Sequence, residues 1–166
     1  MKTIDNFLLE ITTYQIYCDM DGVLVDFAKK AKETLGMPIE QFDEKYGTSK
    51  TWAILSKQGI LFWSDMDWKP DGKLLWQFIL PYKPIILSKP IRSNACKIGK
   101  KIWIHKHLGK DVPYILELEK EKYADKTSIL IDDDIKNAYP WKNAGGISIL
   151  HKNTKETIGK LKNFLR

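Results

Sequence analysis

Cysteine is scarce in this chain. Only Cys18 and Cys96 occur, and they form no Cys-x-x-Cys pair. A zinc ribbon and a disulfide framework are therefore set aside, and a reducing, cytoplasmic setting is the expectation. Long apolar runs are missing too. None approaches the roughly 18 residues that a membrane-spanning helix needs, and the short apolar patch of "MKTIDNFLLEITTY" is interrupted by acids and followed by no cleavage signature. No membrane partner is expected. There is no GxGxxG and no Walker loop, which argues against dinucleotide and nucleoside-triphosphate chemistry. The three histidines, His105, His107 and His151, show neither metal-ligand spacing nor a nucleophile to pair with.

What remains suits a compact enzyme or binding domain. At 166 residues the chain is long enough to bury a core without staples. The net charge of +6 fits either nucleic-acid binding or a positive field that draws in small anions. The lysines are densest in "KIGKKIWIHKHLGK" and "HKNTKETIGKLKNFLR". Both read as amphipathic helices with solvated basic faces.

Five short runs rich in β-branched residues stand between polar or turn residues: Ile16–Cys18, Pro84–Leu87, Pro113–Leu116, Ser128–Ile131 and Gly146–Leu150. Their near-continuous hydrophobicity predicts strands buried on both faces, as in a parallel sheet. Helical stretches lie between them. "DGKLLWQFIL" places Leu74, Leu75, Phe78 and Ile79 on one stripe. "SNACKIGKKIWIHKHLG" has Ser93 or Asn94 as N-cap and stops at Gly109. The alternation predicts a three-layer, Rossmann-like open parallel α/β sheet of about five strands. One segment breaks the rhythm. Residues 29–69 carry many aromatics and no clear strand, and read as a small helical cap inserted after the first strand, with 1–28 and 70–166 forming the core.

The polar residues at the strand ends carry the chemistry. In "YCDMDGVLVDF" an apolar run stops at Asp19 and Asp21, followed by Gly22. The second run ends in Ser88, the third in Glu117, the fourth in Asp132, Asp133 and Asp134. A parallel sheet brings its carboxyl ends to one crevice, so Asp19, Asp21, Ser88, Asp132 and Asp133 are expected to meet there. Glu117 and Asp134 read as turn formers or caps. Like charges so close raise one another's pKa. Hard oxygen ligands gathered that densely favour Mg²⁺.

These residues carry a resemblance. "CDMDGVLVDF", "IILSKP" and "ILIDDD" resemble, in order, three motifs of the haloacid dehalogenase-like (HAD) phosphatase superfamily. Together with "FWSDMDW", "GKKIW" and "IKNAYPWKNAGGISILH", they are similar to its 5'(3')-deoxyribonucleotidase-like branch. The resemblance implies a phosphomonoesterase with Asp19 as nucleophile and Asp21 as acid and base. It implies Mg²⁺ on Asp19, the Asp21 carbonyl and Asp132, with Asp133 close by. Ser88, a nest of N–H groups at Met20, Asp21 and Gly22, and a lysine would hold the phosphoryl oxygens. The spacing of similar sequences points to Lys122, with Lys120 and Lys126 as competitors.

For the leaving group, Phe27 matches a base-stacking position, Phe62 and Trp63 resemble the rest of that pocket, and Arg92 is a candidate phosphate contact. Trp52, Trp68, Trp76 and Trp103 read as core. A nucleoside monophosphate is the expected substrate. The alternatives are another phosphorylated metabolite, a nucleic-acid 3'-phosphate end, or, in a different class, a noncatalytic nucleic-acid-binding module.

Overall fold

A computed structural model describes residues 13–165. Most of the N-terminal apolar patch therefore lies outside the described residues. Five strands, β1 (Gln15–Cys18), β2 (Ile85–Ser88), β3 (Tyr114–Leu116), β4 (Ser128–Asp132) and β5 (Ile147–Leu150), form one sheet in the order β3-β2-β1-β4-β5. Every pairing is parallel: Cys18 lies beside Ile86 and Ile131, Ser88 beside Leu116, and Ile131 beside Ile149. The predicted sheet is present, with strand bounds shifted by a residue or so.

Alternation along the strands sorts the core. Ile16, Cys18, Ile86, Ile129 and Ile131 belong to the larger cluster, where α5 (Gly72–Ile79), α6 (Asn94–His107) and α8 (Thr154–Leu161) contribute Leu75, Trp103 and Leu161. Leu87 and Leu130 belong to the other, covered by Trp141 of α7 (Ile135–Asn143) and by Tyr123 from the 3-10 turn Lys120–Tyr123. Leu74 departs from its expected stripe and is exposed, while Leu75 and Ile79 are buried. α7 continues through Pro140.

Between β1 and α5 run four helices, α1 (Phe27–Leu35), α2 (Ile39–Tyr46), α3 (Thr48–Leu55) and α4 (Ile60–Ser64). Asp26 caps α1 by accepting from Lys29 N–H at 3.1 Å, and Gly36 closes it in the left-handed conformation at φ 77°. The two ends of this segment lie together: Val25 pairs antiparallel with Trp68, Asp26 N–H donates to the Asp67 carbonyl at 2.8 Å, and Lys69 N–H donates to the Leu24 carbonyl at 2.8 Å. No helix among the described residues is long and apolar enough to cross a membrane.

Polar side chains secure the starts of the remaining helices. Ser93 accepts from Cys96 N–H at the start of α6, and Asp134 accepts from Lys136 N–H at the start of α7. Asp71, ahead of α5, reaches across to α8, where its carboxylate accepts from Thr154 N–H at 2.8 Å. Burial pushes the Asp71 pKa up, but the Thr154 donors outweigh it and the net shift is downward. The folded pKa lies below the unfolded one, so this contribution is present above the unfolded value and is lost as pH falls through the folded one. Asp71→Asn is expected to cost about 1 kcal/mol at neutral pH. Urea unfolding at pH 7 and pH 3 checks this; the cost should shrink at the lower pH.

Candidate active site

Three strand ends converge. Asp19 follows β1 and donates its N–H to the Ile131 carbonyl at 2.9 Å, so its side chain emerges beside the end of β4. Asp132 is the last residue of β4 and Ser88 the last of β2. Beyond Asp19 the chain turns sharply, with the Met20 carbonyl accepting from the N–H groups of Val23, Leu24 and Val25. Gly22 sits at φ 78°, and a Cβ there would collide with the Asp133 carboxylate. Glycine thus lets the acid after β4 lie directly against the loop after β1.

Two buried lysines divide the acids between them. The Lys120 ammonium lies 2.9 Å from Asp19 Oδ1 and 2.6 Å from Asp132 Oδ2. The Lys100 ammonium pairs with Asp21 Oδ2 and donates to Ser88 Oγ at 2.9 Å. Burial pulls the Lys120 pKa down, but Asp19 and Asp132 more than reverse this and leave it raised. The acids feel their crowding. Burial first and Asp19 second push Asp132 up to about 6. Burial, Asp19 and Asp132 push Asp133 up to about 7. Burial also raises Asp21, against the pull of Lys100.

Oxygen atoms of Asp19, Asp132 and Asp133 all lie within 4.8 Å of one another. Buried acceptors stand unpaired nearby: Asp21 Oδ1 and Asn137 Oδ1 have no hydrogen-bond partner among the described residues. Asn137 Nδ2 holds both Asp132 oxygens at 3.1 Å, and Asp134 N–H donates to Asp132 Oδ1 at 2.9 Å. No backbone N–H among the described residues is donated to the Asp21 carbonyl. An all-oxygen donor set with excess negative charge fits a hard divalent cation, which Asp19, Asp132, Asp133 and the Asp21 carbonyl could hold.

Several expected residues fall elsewhere. Lys122 is about half exposed and pairs with Glu119 at 2.6 Å, outside the cluster. On the tight 3-10 turn its neighbour-but-one, Lys120, points to the acids instead. Lys126 is exposed. The Gly22 N–H is taken by the Val25 carbonyl at 2.9 Å, so of the expected nest only the Met20 and Asp21 N–H groups lack an acceptor among the described residues. Glu117 is the turn former expected, accepting from Leu118 and Glu119 N–H. Lys100 escaped notice within a lysine-rich helix. Its signal was positional: Cys96, Gly99, Lys100, Trp103 and Ile104 form the one buried stripe of α6.

The acids open into a crevice of about 960 Å³ between the strand ends and the helices α1 to α3. Phe27 and Trp52 line it, and their rings are parallel, 6.3 Å apart at an interplanar angle of 7°. Trp52, expected in the core, is 40% exposed. Trp63 is parallel to Phe27 at 5.9 Å and also lines the crevice, although only 1% of it is exposed. Phe62 is buried edge-on to both Phe27 and Trp63 and lies outside the crevice lining. Lys89 and Arg92 line the same crevice with exposed side chains.

Solved structures place this geometry among known folds. The chain superposes on a predicted phosphatase from Clostridium acetobutylicum with a TM-score of 0.55 and 15% identity, over 92% of this chain and 99% of that one. A HAD-superfamily hydrolase, subfamily IA, from Geobacter sulfurreducens PCA gives 0.55 and 10%, over 92% and 98%. An L-2-haloacid dehalogenase from Xanthobacter autotrophicus gives 0.55 and 11%, over 92% and 83%. The chain has the fold of the HAD hydrolases. At such identities the likeness is one of fold, and it spans phosphatases and dehalogenases alike. No protein-family model matches the sequence, and no curated protein matches it either.

Cation binding is directly measurable. A ligand that binds only the folded state at about 100 times its Kd stabilises it by about 2.7 kcal/mol. Mg²⁺ should accordingly raise the melting temperature of the wild type by several degrees. Asp132→Asn should abolish the shift, and an undiminished shift in that variant would place the ion elsewhere.

Proposed function

We propose that the protein is a Mg²⁺-dependent phosphomonoesterase that hydrolyses nucleoside monophosphates, deoxyribonucleotides among them, through an aspartyl-phosphate. The observation that carries this reading is the cluster of Asp19, Asp132 and Asp133 around the buried Lys120, lying at the floor of an aromatic-walled crevice.

The phosphoryl group lies between Asp19 and the donors around it. An Asp19 carboxylate oxygen attacks phosphorus as the bond to the ester oxygen breaks. Asp21 gives its proton to the departing alkoxide, a role that typically contributes about 10²–10⁴-fold. Water then attacks the aspartyl-phosphate, Asp21 takes the proton back, and inorganic phosphate leaves with Asp19 restored. Ser88 Oγ, Lys120 and the free N–H groups of Met20 and Asp21 hold the phosphoryl oxygens. When bound by Asp19, Asp132, Asp133 and the Asp21 carbonyl, Mg²⁺ offsets the charge that would otherwise repel the incoming phosphate.

A haloacid dehalogenase is also among the solved structures that share this fold, but a halide departs without a proton. A half-buried acid such as Asp21, held by its own lysine, would have no leaving group to protonate there. The helices α1 to α4 act as a small cap over the strand ends. Phe27 and Trp52 offer a flat apolar surface to a planar leaving group, and Arg92 stands at the rim.

Two measurements test the reading. With Mg²⁺, Asp19→Asn should retain less than about 10⁻³ of wild-type phosphate release. Against a panel of 5'- and 3'-mononucleotides, sugar phosphates and 3'-phosphorylated oligonucleotides, the mononucleotides should show the highest kcat/KM. Trp52→Ala should raise the KM for mononucleotides about 5- to 100-fold, as expected for a lost stacking contact of about 1–3 kcal/mol. Its effect on glycerol phosphate should be far smaller. Preference for one sugar phosphate would reject the nucleotide while leaving the chemistry.

A further inference from the structure

Lys100 lies in the middle of α6, a helix whose other lysines, Lys97, Lys101 and Lys106, are exposed. Its side chain is fully buried. An ammonium taken out of water loses its hydration, and its burial is unfavourable unless partners replace that water. Lys100 has two, Asp21 Oδ2 and Ser88 Oγ, the latter at 2.9 Å, and its ammonium lies 6.0 Å from the centre of the Trp63 ring. Among the described residues no other side chain donates to Asp21, and Asp21 Oδ1 has no partner. The orientation of Asp21 thus hangs on one lysine.

The depth of that lysine is itself fixed. Gly99 lets α6 press against α4: a Cβ at position 99 would collide with the Trp63 side chain and come within 2.7 Å of the Ile60 carbonyl. One helical turn therefore braces the wall behind Phe27 and carries the cation that grips Asp21. Lys120 is occupied on the other side of the site by Asp19 and Asp132. The two lysines are not duplicates.

We infer that Lys100 is a positioning residue for Asp21, holding its carboxyl group on the leaving-group side so that its proton passes to the ester oxygen as the phosphorus–oxygen bond breaks. The inference rests on the phosphomonoesterase reading above. Lys100 acts through Asp21 and does not itself meet the reacting atoms. The signature is selective, because an alkoxide needs a proton to leave and p-nitrophenolate does not. A general structural role would slow both esters alike.

The experiment compares kcat/KM for thymidine 5'-monophosphate and p-nitrophenyl phosphate, with Mg²⁺, in the wild type, Lys100→Met, Lys100→Arg and Asp21→Asn. Lys100→Met should lose about 10- to 100-fold on the nucleotide and less than about 5-fold on the aryl ester. Because Asp21 also serves the hydrolysis of the aspartyl-phosphate, Lys100→Met should release p-nitrophenol in a burst before a slower steady state. Lys100→Arg keeps the charge but moves it, so it should show the same selectivity at smaller size and serves as the test if the methionine variant does not fold. Adding Lys100→Met to Asp21→Asn should bring no further loss of selectivity. Equal losses on the two esters, in whichever variant folds, overturn the inference while leaving the phosphatase reading intact. Failure of the wild type to turn over either ester overturns both.

Discussion

Four carboxylates share one end of a parallel sheet, and much of the architecture answers their mutual repulsion. Pairing of β1 with β4 brings their ends together, so that oxygens of Asp19, Asp132 and Asp133 lie within 4.8 Å of one another, with Asp21 two residues beyond Asp19. Two ammonium groups are buried among them, each tied to a different pair of strand ends. Lysine burial of this kind would be unfavourable in an apolar core. Here each cation and the acids beside it make the other's burial tolerable. The charge left over, with Asp132 and Asp133 held above the ordinary carboxylate range, is what a divalent ion would neutralise.

The division of the cluster into two halves gives the site a direction. Asp19, Asp132 and Lys120 form the side where phosphorus would be attacked, and Asp21, Ser88 and Lys100 form the other. The crevice opens from this cluster between Phe27 and Trp52 on one wall and Lys89 and Arg92 on another. An anionic head with a flat, apolar body suits both surfaces at once. The phosphomonoesterase reading draws on that pairing of charge and shape more than on the fold, since the same fold serves displacement at carbon.

Much of this was legible in the sequence, for identifiable reasons. Runs such as "SILI" and "PIIL" are β-branched and apolar on both faces, which in practice means a buried parallel strand. Once the sheet is parallel, residues just past the strands share an edge, so Asp19, Ser88 and Asp132 could be grouped although they lie far apart in the chain. The lysines were harder. Lys120 and Lys122 differ only in which side of a single 3-10 turn they occupy, and nothing local in "LEKEKYADK" decides that. Lys100 was readable from its place on the stripe between Cys96 and Trp103, but its charge led to a solvated reading. Trp52 was misjudged in the opposite sense. Thr51 and Leu55 turn inward on α3, which rotates the larger indole toward the crevice.

The pairing of residues 24–26 with 67–69 sets the terms on which the helices over the crevice can vary. Because the segment departs from and rejoins the sheet at adjoining points, its contour length is decoupled from strand register. Closure entropy grows only slowly with the number of residues spanned. Extra turns inserted there, or helices traded for others, would therefore reshape the leaving-group wall at little thermodynamic expense and leave the acids where they are.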